Sequence, residues 1–310
     1  MPKLKILIAG ISGQDGSYLA EYYNKLGHTI LGLSRRNNTK LGNIKILKSD
    51  YTLKSLKRII TEVKPNIIYN LTSQSDPKTS WENSYGTINS VSSTTMHFLE
   101  IISNYSKNTK FFNASSSEIF EDTKSILNED SKINPSNPYG CAKAFAHVLV
   151  SSYREKYKIY AVNGILFNHD SYRRSENFLC KKIIKGCLDI VNKKKKNLTL
   201  NSLSPIRDFG YAEDYIRAMT EIMLLKEPED FIICTGKSFS VRDYAYEAFK
   251  QLGIDKKRLK NKNLNLQVKG IVRASNRKIL RKTNWKPEYN LNSMITKLII
   301  DEENYRKNGK

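Results

Sequence analysis

The chain has 310 residues, with 52 Lys+Arg against 30 Asp+Glu and a formal net charge of +22. That length suits one large α/β unit with a smaller lobe, and the basic residues are spread along the chain rather than gathered into a stripe, which argues against a nucleic-acid groove. No apolar run reaches the ~20 residues that cross a bilayer, no signal-peptide pattern is read, and Cys141, Cys180, Cys187 and Cys234 show no metal or disulfide spacing, so a cytoplasmic protein without metal, membrane or nucleic-acid partners is expected.

Residues 3–9 (KLKILIA) form a short apolar run that reads as a buried parallel strand. It ends in a turn containing Gly10, Gly13, Gln14, Asp15 and Gly16, and residues 17–26 then read as a helix. Glycines between a strand and a helix let the backbone approach a pyrophosphate, which sits on the helix N-terminus. A second strand is predicted over 28–33, followed by Ser34, Arg35 and Arg36. An acid at this place suits the ribose hydroxyls of NAD, whereas arginine suits a 2′-phosphate. The expected cofactor is therefore NADP rather than NAD.

A short strand over 44–47 ends near Asp50, and 53–63 reads as a helix. Residues 66–71 (NIIYNL) are the next strand, with a polar turn from Thr72 through Ser73, Gln74 and Ser75. A helix over 88–103 and a strand over 110–114 follow, the strand delivering Ser116 and Glu118. Pro135 and Pro138 mark the loop before a helix carrying Tyr139 and Lys143, and 159–166 (IYAVNGIL) is another strand. The alternation predicts an α/β fold, a doubly wound parallel sheet of the Rossmann type with its chemistry at the strand C-termini. Beyond 166 the pattern breaks up, although 231–234 (FIIC) returns a strand to the sheet. The expected organisation is a cofactor domain over 1–165 with returning segments from about 203–237, and a smaller C-terminal α/β substrate lobe from 166–202 and 238–310. The run 193–196 (KKKK) reads as a solvated loop, and Cys141 as a small packing residue.

Tyr139 and Lys143 stand at i and i+4 and share one helix face. A phenol is a poor base at neutral pH, and an ammonium beside it favours the phenolate. A hydroxyl from Ser116 holds an alcohol against the phenol. These are the parts for taking a proton from an alcohol while a hydride leaves its carbon.

Taken together, these residues resemble the GDP-mannose 4,6-dehydratase family of extended short-chain dehydrogenase/reductases. The resemblance rests on Gly10 to Ala20 (GISGQDGSYLA), Ala114 to Glu118 (ASSSE), Ser136 to Lys143 (SNPYGCAK), Ala161 to His169 (AVNGILFNH), Arg173 with Arg174, and Arg207 to Gly210 (RDFG). It implies that Tyr139, with Lys143, deprotonates a sugar 4-hydroxyl while NADP takes the C4 hydride. Glu118 then removes the C5 proton, the 6-hydroxyl leaves as water and the hydride returns to C6. Ser116 stands where the family usually has threonine. The resemblance assigns Asp50, Tyr51, Leu71, Ser73, Tyr85, His169 and Arg174 to the cofactor, and Asn168, Asn177, Lys182 and Arg207 to the nucleotide-sugar substrate.

Three departures accompany it. The stretch after Arg36 is shorter than in the family, where it helps build a tetramer, so the expected homo-oligomer is a dimer or a tetramer. The family's Arg-Pro-x-Glu segment is missing from 265–273 (NLQVKGIVR), where Lys269 or Arg273 would have to substitute. Glu121 replaces a glycine after Phe120. The altered pocket keeps a second reading open: a 4-dehydrogenase or 4-epimerase of a nucleotide sugar such as a GDP-heptose, acting without loss of water.

Overall fold

The computed structural model describes residues 2–36, 41–73, 77–121, 123, 125–262 and 270–308. The apolar runs do become strands: β1 (Lys5–Ala9), β2 (Thr29–Ser34), β3 (Lys45–Lys48), β4 (Ile67–Asn70) and β5 (Lys110–Ser116). With strands Ala161–Leu166 and Phe231–Ile233 they form one seven-stranded sheet. Every pair in it is parallel, and its order is Phe231–Ile233, Ala161–Leu166, β5, β4, β1, β2, β3.

Alternate residues of each strand face opposite layers. Ile6 and Ile8 pack in one core with α1 (Gln14–Lys25), whereas Leu7 and Ala9 pack in another with α2 (Leu53–Val63). Two further helices, α3 (Pro77–Glu82) and α4 (Ser84–Tyr105), precede β5, and α5 (Pro138–Tyr157) follows it. Phe98 of α4 and Val150 of α5 join the core shared with α2. Both faces of the sheet are covered, which is why the strands are apolar throughout rather than alternating.

A separate core lies beyond the sheet. It is built from α6 (Leu179–Val191), α8 (Val241–Gln251) and α10 (Leu291–Asn308), with Leu198 and Leu200 from a short strand. Helix α7 (Ala212–Leu224) packs instead against the main sheet, and α9 (Arg277–Lys282) lies beside strand Phe231–Ile233. Lys181 of α6, 7% exposed, is satisfied by Glu302 of α10 and the Tyr172 carbonyl.

Some details differ from the sequence expectations. Helix α1 begins at Gln14 rather than 17, because Gly13 is already the extended N-cap. Helix α3 was not expected, and α4 begins at Ser84 because the Asn83 side chain accepts from the Gly86 N–H. Strand β5 runs to Ser116, two residues further than expected. Cys141 is exposed rather than packed, since it lies on the outward face of α5. Of the polar turn after β4, Gln74 and Ser75 lie outside the described residues, as do residues 263–269 with Lys269. Arg273 is exposed on a two-residue strand paired with Ile126–Leu127. Glu121 needs no left-handed backbone; its carboxylate accepts from the Asn134 amide at 2.6 Å. The run 193–196 is exposed, as expected. Among the described residues, no helix is long and apolar enough to cross a membrane and no cluster of metal-ligating side chains occurs.

Candidate active site

The site is built where the strands end. Gly10 leaves β1 with φ +83°, and a Cβ there would lie 2.8 Å from the Leu71 carbonyl oxygen. A Cβ on Gly16 would lie 2.4 Å from the Gly10 carbonyl oxygen. Only glycines permit this closeness of turn to helix. Helix α1 then starts with no side-chain cap hydrogen bond, and its first turn lines the cleft. This fits a dinucleotide pyrophosphate.

Asp15, in the first turn of α1, pairs with His169 Nε2 at 3.0 Å. Burial alone would raise the Asp15 carboxyl, but the His169 charge and hydrogen bond, helped by Gln14 and Arg174, lower it to about 2. Burial disfavours the His169 imidazolium, yet Asp15 raises its pKa above the ordinary value. His169 Nδ1 lies 2.7 Å from the Phe167 carbonyl, and its ring stacks on Tyr215 at 4.2 Å. Gln14 ties the same turn to the following loop, donating to the His169 carbonyl and accepting from the Ser171 hydroxyl at 2.8 Å.

The strand end and helix α5 supply the remaining groups. Ser116 Oγ accepts from the Glu118 N–H at 3.2 Å, starting a 3-10 turn over Ser117–Ile119. Pro138 opens α5 and Asn137 caps it, Oδ1 accepting from the Gly140 N–H at 2.9 Å. Tyr139 is buried, and the nearby Ser116 and Ser73 hydroxyls favour its phenolate. Lys143 Nζ donates to the Ala114 carbonyl at 2.7 Å and lies 5.8 Å from the centre of the Tyr139 ring.

Here one expectation is corrected. Burial raises the Tyr139 phenol above its ordinary value and outweighs the two serine hydroxyls, which lower it; Glu118 also raises it. The Arg174 charge lowers it, like the serines, without reversing the rise. Burial instead lowers the Lys143 ammonium to about 8, against the pull of Asp15. The protein's own groups thus bring the lysine, not the tyrosine, towards neutral pH.

A cleft of about 380 Å³ is lined by Gly10, Gly13, Gln14, Asp15, Gly16, Leu71 and Ser73 on one side. Ser116, Glu118, Tyr139, Lys143, Asn168, His169, Arg174 and Asn177 complete it. It meets a second cavity of about 580 Å³ that shares Asn168, Arg174 and Asn177 and adds Lys182 and Arg207. The Arg174 guanidinium lies 3.7 Å from the centre of the Phe178 ring, at the junction of the two. Arg207 donates to the carbonyls of Ile206 and Gly270.

Five of the expected residues do not line either cavity. Tyr51 lies beneath the glycine turn, its hydroxyl accepting from the Gly10 N–H at 3.3 Å and donating to the Leu33 carbonyl at 3.0 Å. The Arg35 guanidinium lies 5.6 Å from the centre of the Tyr51 ring, and Arg36 beside it is exposed. The Asp50 carboxylate accepts from the Thr52 N–H and hydroxyl before α2. Tyr85 is 82% exposed on α4. The sequence reading gave no site role to two residues. Asn137 donates from Nδ2 to Glu118 Oε2 at 2.7 Å; the Asn-Pro pair before α5 is the signal that marks it. Arg173 ties the loop before α6 to α1 through Glu21 at 2.7 Å and the Ser17 hydroxyl at 2.9 Å.

The chain is similar to known proteins. The family model described as GDP-mannose 4,6 dehydratase matches residues 7–298. A GDP-mannose 4,6 dehydratase of Drosophila melanogaster is 34% identical over 97% of this chain and 87% of its own length. One of Vibrio cholerae is 38% identical over 82% of this chain and 74% of its own. Among solved structures, a UDP-glucose 4-epimerase of Thermotoga maritima superposes with a TM-score of 0.87, at 19% identity, over 99% of this chain and all of the other. A dTDP-glucose 4,6-dehydratase of Bacillus anthracis in complex with NAD gives a TM-score of 0.81, at 18% identity, over 98% and 97%. At such identities the structures establish the fold alone. The family follows from the sequence match across almost the whole chain: this protein belongs to the GDP-mannose 4,6-dehydratase family.

Proposed function

We propose that this chain is an NADP-dependent hydro-lyase that converts a GDP-hexose of the GDP-mannose class into a GDP-4-keto-6-deoxy sugar in the cytoplasm. The observation that carries this reading is the convergence of Ser116, Glu118, Tyr139 and Lys143 in one cleft, beside a second cavity lined by Arg174, Lys182 and Arg207.

When bound, a nicotinamide dinucleotide would supply a reversible hydride acceptor. The glycine turn and the start of α1 would hold its pyrophosphate, and Arg35 and Arg36, just past the end of β2, would meet a 2′-phosphate. Ser116 fixes the sugar 4-hydroxyl, and Tyr139 takes its proton. Burial, which raises Tyr139, opposes this step, and the Ser116 and Ser73 hydroxyls, which lower it, assist. Once C4 is a ketone, the C5–H bond is acidified and Glu118 accepts that proton. The C6–O bond breaks and the 6-hydroxyl leaves as water with the proton that Glu118 took from C5. C5 takes the proton that Tyr139 took from the 4-hydroxyl and C6 receives the hydride lost from C4, so the net change is loss of one water. Lys182 and Arg207 meet the diphosphate, with Asn168 and Asn177 between it and the sugar. The two lobes divide this work, 1–165 with 203–237 for the cofactor, and 166–202 with 238–310 for the nucleotide sugar.

The chain acts as a homo-oligomer whose contact is the outer face of α4 and α5. Ile88, Met96, Phe145 and Val148 are large apolar residues left exposed there, with Trp81 and Tyr85 alongside.

The deciding experiment is mass spectrometry of GDP-mannose incubated with the protein and NADP. A product lighter by one water is expected. Loss of two hydrogens without water, or an unchanged mass with inverted C4, overturns the dehydratase reading in favour of a dehydrogenase or epimerase.

A further inference from the structure

Glu118 is held from three directions, two of them from α5 and its cap. Its N–H donates to Ser116 Oγ at 3.2 Å. Its carboxylate Oε2 accepts from Asn137 Nδ2 at 2.7 Å. Its carbonyl oxygen lies where a Cβ on Gly140 would come within 2.2 Å, so the first turn of α5 touches the Glu118 backbone directly. Asn137 is the residue common to helix and carboxylate. Its Oδ1 accepts from the Gly140 N–H at 2.9 Å, which caps the helix that carries Tyr139, while its Nδ2 is spent on Glu118. Asn137 is itself only 9% exposed, so neither bond competes freely with water.

We propose that Asn137 is a positioning residue for Glu118: one amide side chain caps α5 and aims the carboxylate, so that the group that deprotonates C5 and the phenol that deprotonates the 4-hydroxyl are held as one unit. This rests on the reading of Glu118 as the C5 base. A carboxylate free to rotate about three side-chain bonds must be ordered before each elimination; one held by a charge-assisted amide hydrogen bond is ordered already. C4 oxidation needs Tyr139, not Glu118, so loss of the Asn137 amide slows the second step and spares the first.

The test uses a variant that separates the two roles. Serine caps a helix about as well as asparagine, so Asn137→Ser keeps an acceptor for the Gly140 N–H and removes the donor to Glu118. The holoenzyme is mixed with GDP-mannose in a single turnover, reading reduced-nicotinamide absorbance, water loss by mass and the melting temperature. In Asn137→Ser we expect an unchanged melting temperature, an unchanged KM, water loss slowed about ten-fold, in line with loss of a hydrogen bond to a charged group, and reduced nicotinamide that accumulates as oxidation outruns elimination. Asn137→Asp, which also caps but sets a carboxylate against Glu118, gives the same accumulation more strongly. Water loss at the wild-type rate without accumulation overturns the proposal. So does an equal loss of oxidation and elimination with a lowered melting temperature, which marks a helix cap and nothing more. Wild-type protein that oxidises no GDP-sugar is a separate failure: it strikes the dehydratase reading rather than the role of Asn137.

Discussion

Lys143 shows how burial decides the chemistry of a single side chain. Only 3% of it is exposed, and burial lowers its ammonium to about 8 from 10.5. The sign of the linkage follows. Below about 8 folded and unfolded chains both hold the proton. Between about 8 and 10.5 the folded chain has released it and the unfolded chain has not, so this group's contribution to stability rises with pH in that window. Any step that needs the ammonium fails in the same window. Turnover under saturating substrate should therefore decline as pH rises through about 8, and Lys143→Met should lack that limb; a flat profile to pH 10 in the wild type would remove the ammonium from the mechanism. Tyr139→Phe should lower turnover by at least ~100-fold, the lower range for a positioned acid–base group, while cofactor binding measured by fluorescence stays intact. The tyrosine, the lysine and the glycines were legible in the sequence because their spacings are local. Tyr51 beneath the turn and Asn137 on Glu118 were not, because their roles depend on residues 41 and 19 positions away.

At the scale of elements, the sheet is held by more than its apolar faces. Asn70, Asn113 and Asn163 stand in register on three adjacent strands. Asn70 Nδ2 donates to Asn113 Oδ1 at 3.2 Å, Asn113 Nδ2 to Asn163 Oδ1 at 2.9 Å, and Asn163 Nδ2 to the His147 carbonyl of α5 at 3.1 Å. This ladder of buried amides crosses the sheet just below the cleft and fixes α5 to it. Asn113→Leu keeps the volume but leaves its neighbours short of a partner. It should cost roughly 2–4 kcal/mol, one to two unsatisfied buried groups, read as a lowered midpoint in urea; an unchanged midpoint would mean that water replaces the amide. The sequence made β4, β5 and Ala161–Leu166 readable as apolar runs, but a run does not say which polar side chains meet across strands, so the ladder was not legible. Helix α2 was readable to the residue because Thr52 caps it and its apolar residues recur at helical spacing. The six residues of α3 are too few to show a period.

For the whole molecule, periodicity marks which positions of a helix are apolar, not what covers them. The outer faces of α4 and α5 illustrate the difference. Phe145 is 49% and Val148 52% exposed, although both sit at helical spacing from residues that reach the core. Met96 and Ile88 of α4 continue the patch, and the two helices pack side by side. Large apolar groups gathered on one monomer face are unusual unless something covers them. A second copy related by a two-fold axis covers such a face with itself, helix pair against helix pair. The net charge of +22 opposes close approach of two copies unless the contact is free of charge, and Ile88, Met96, Phe145 and Val148 supply an uncharged one. Sedimentation equilibrium should therefore give twice the chain mass at moderate salt. Phe145→Glu combined with Val148→Glu puts two carboxylates from each copy into the contact and should give the single-chain mass with unchanged far-UV circular dichroism. A double variant that still sediments at twice the chain mass would move the contact to another face.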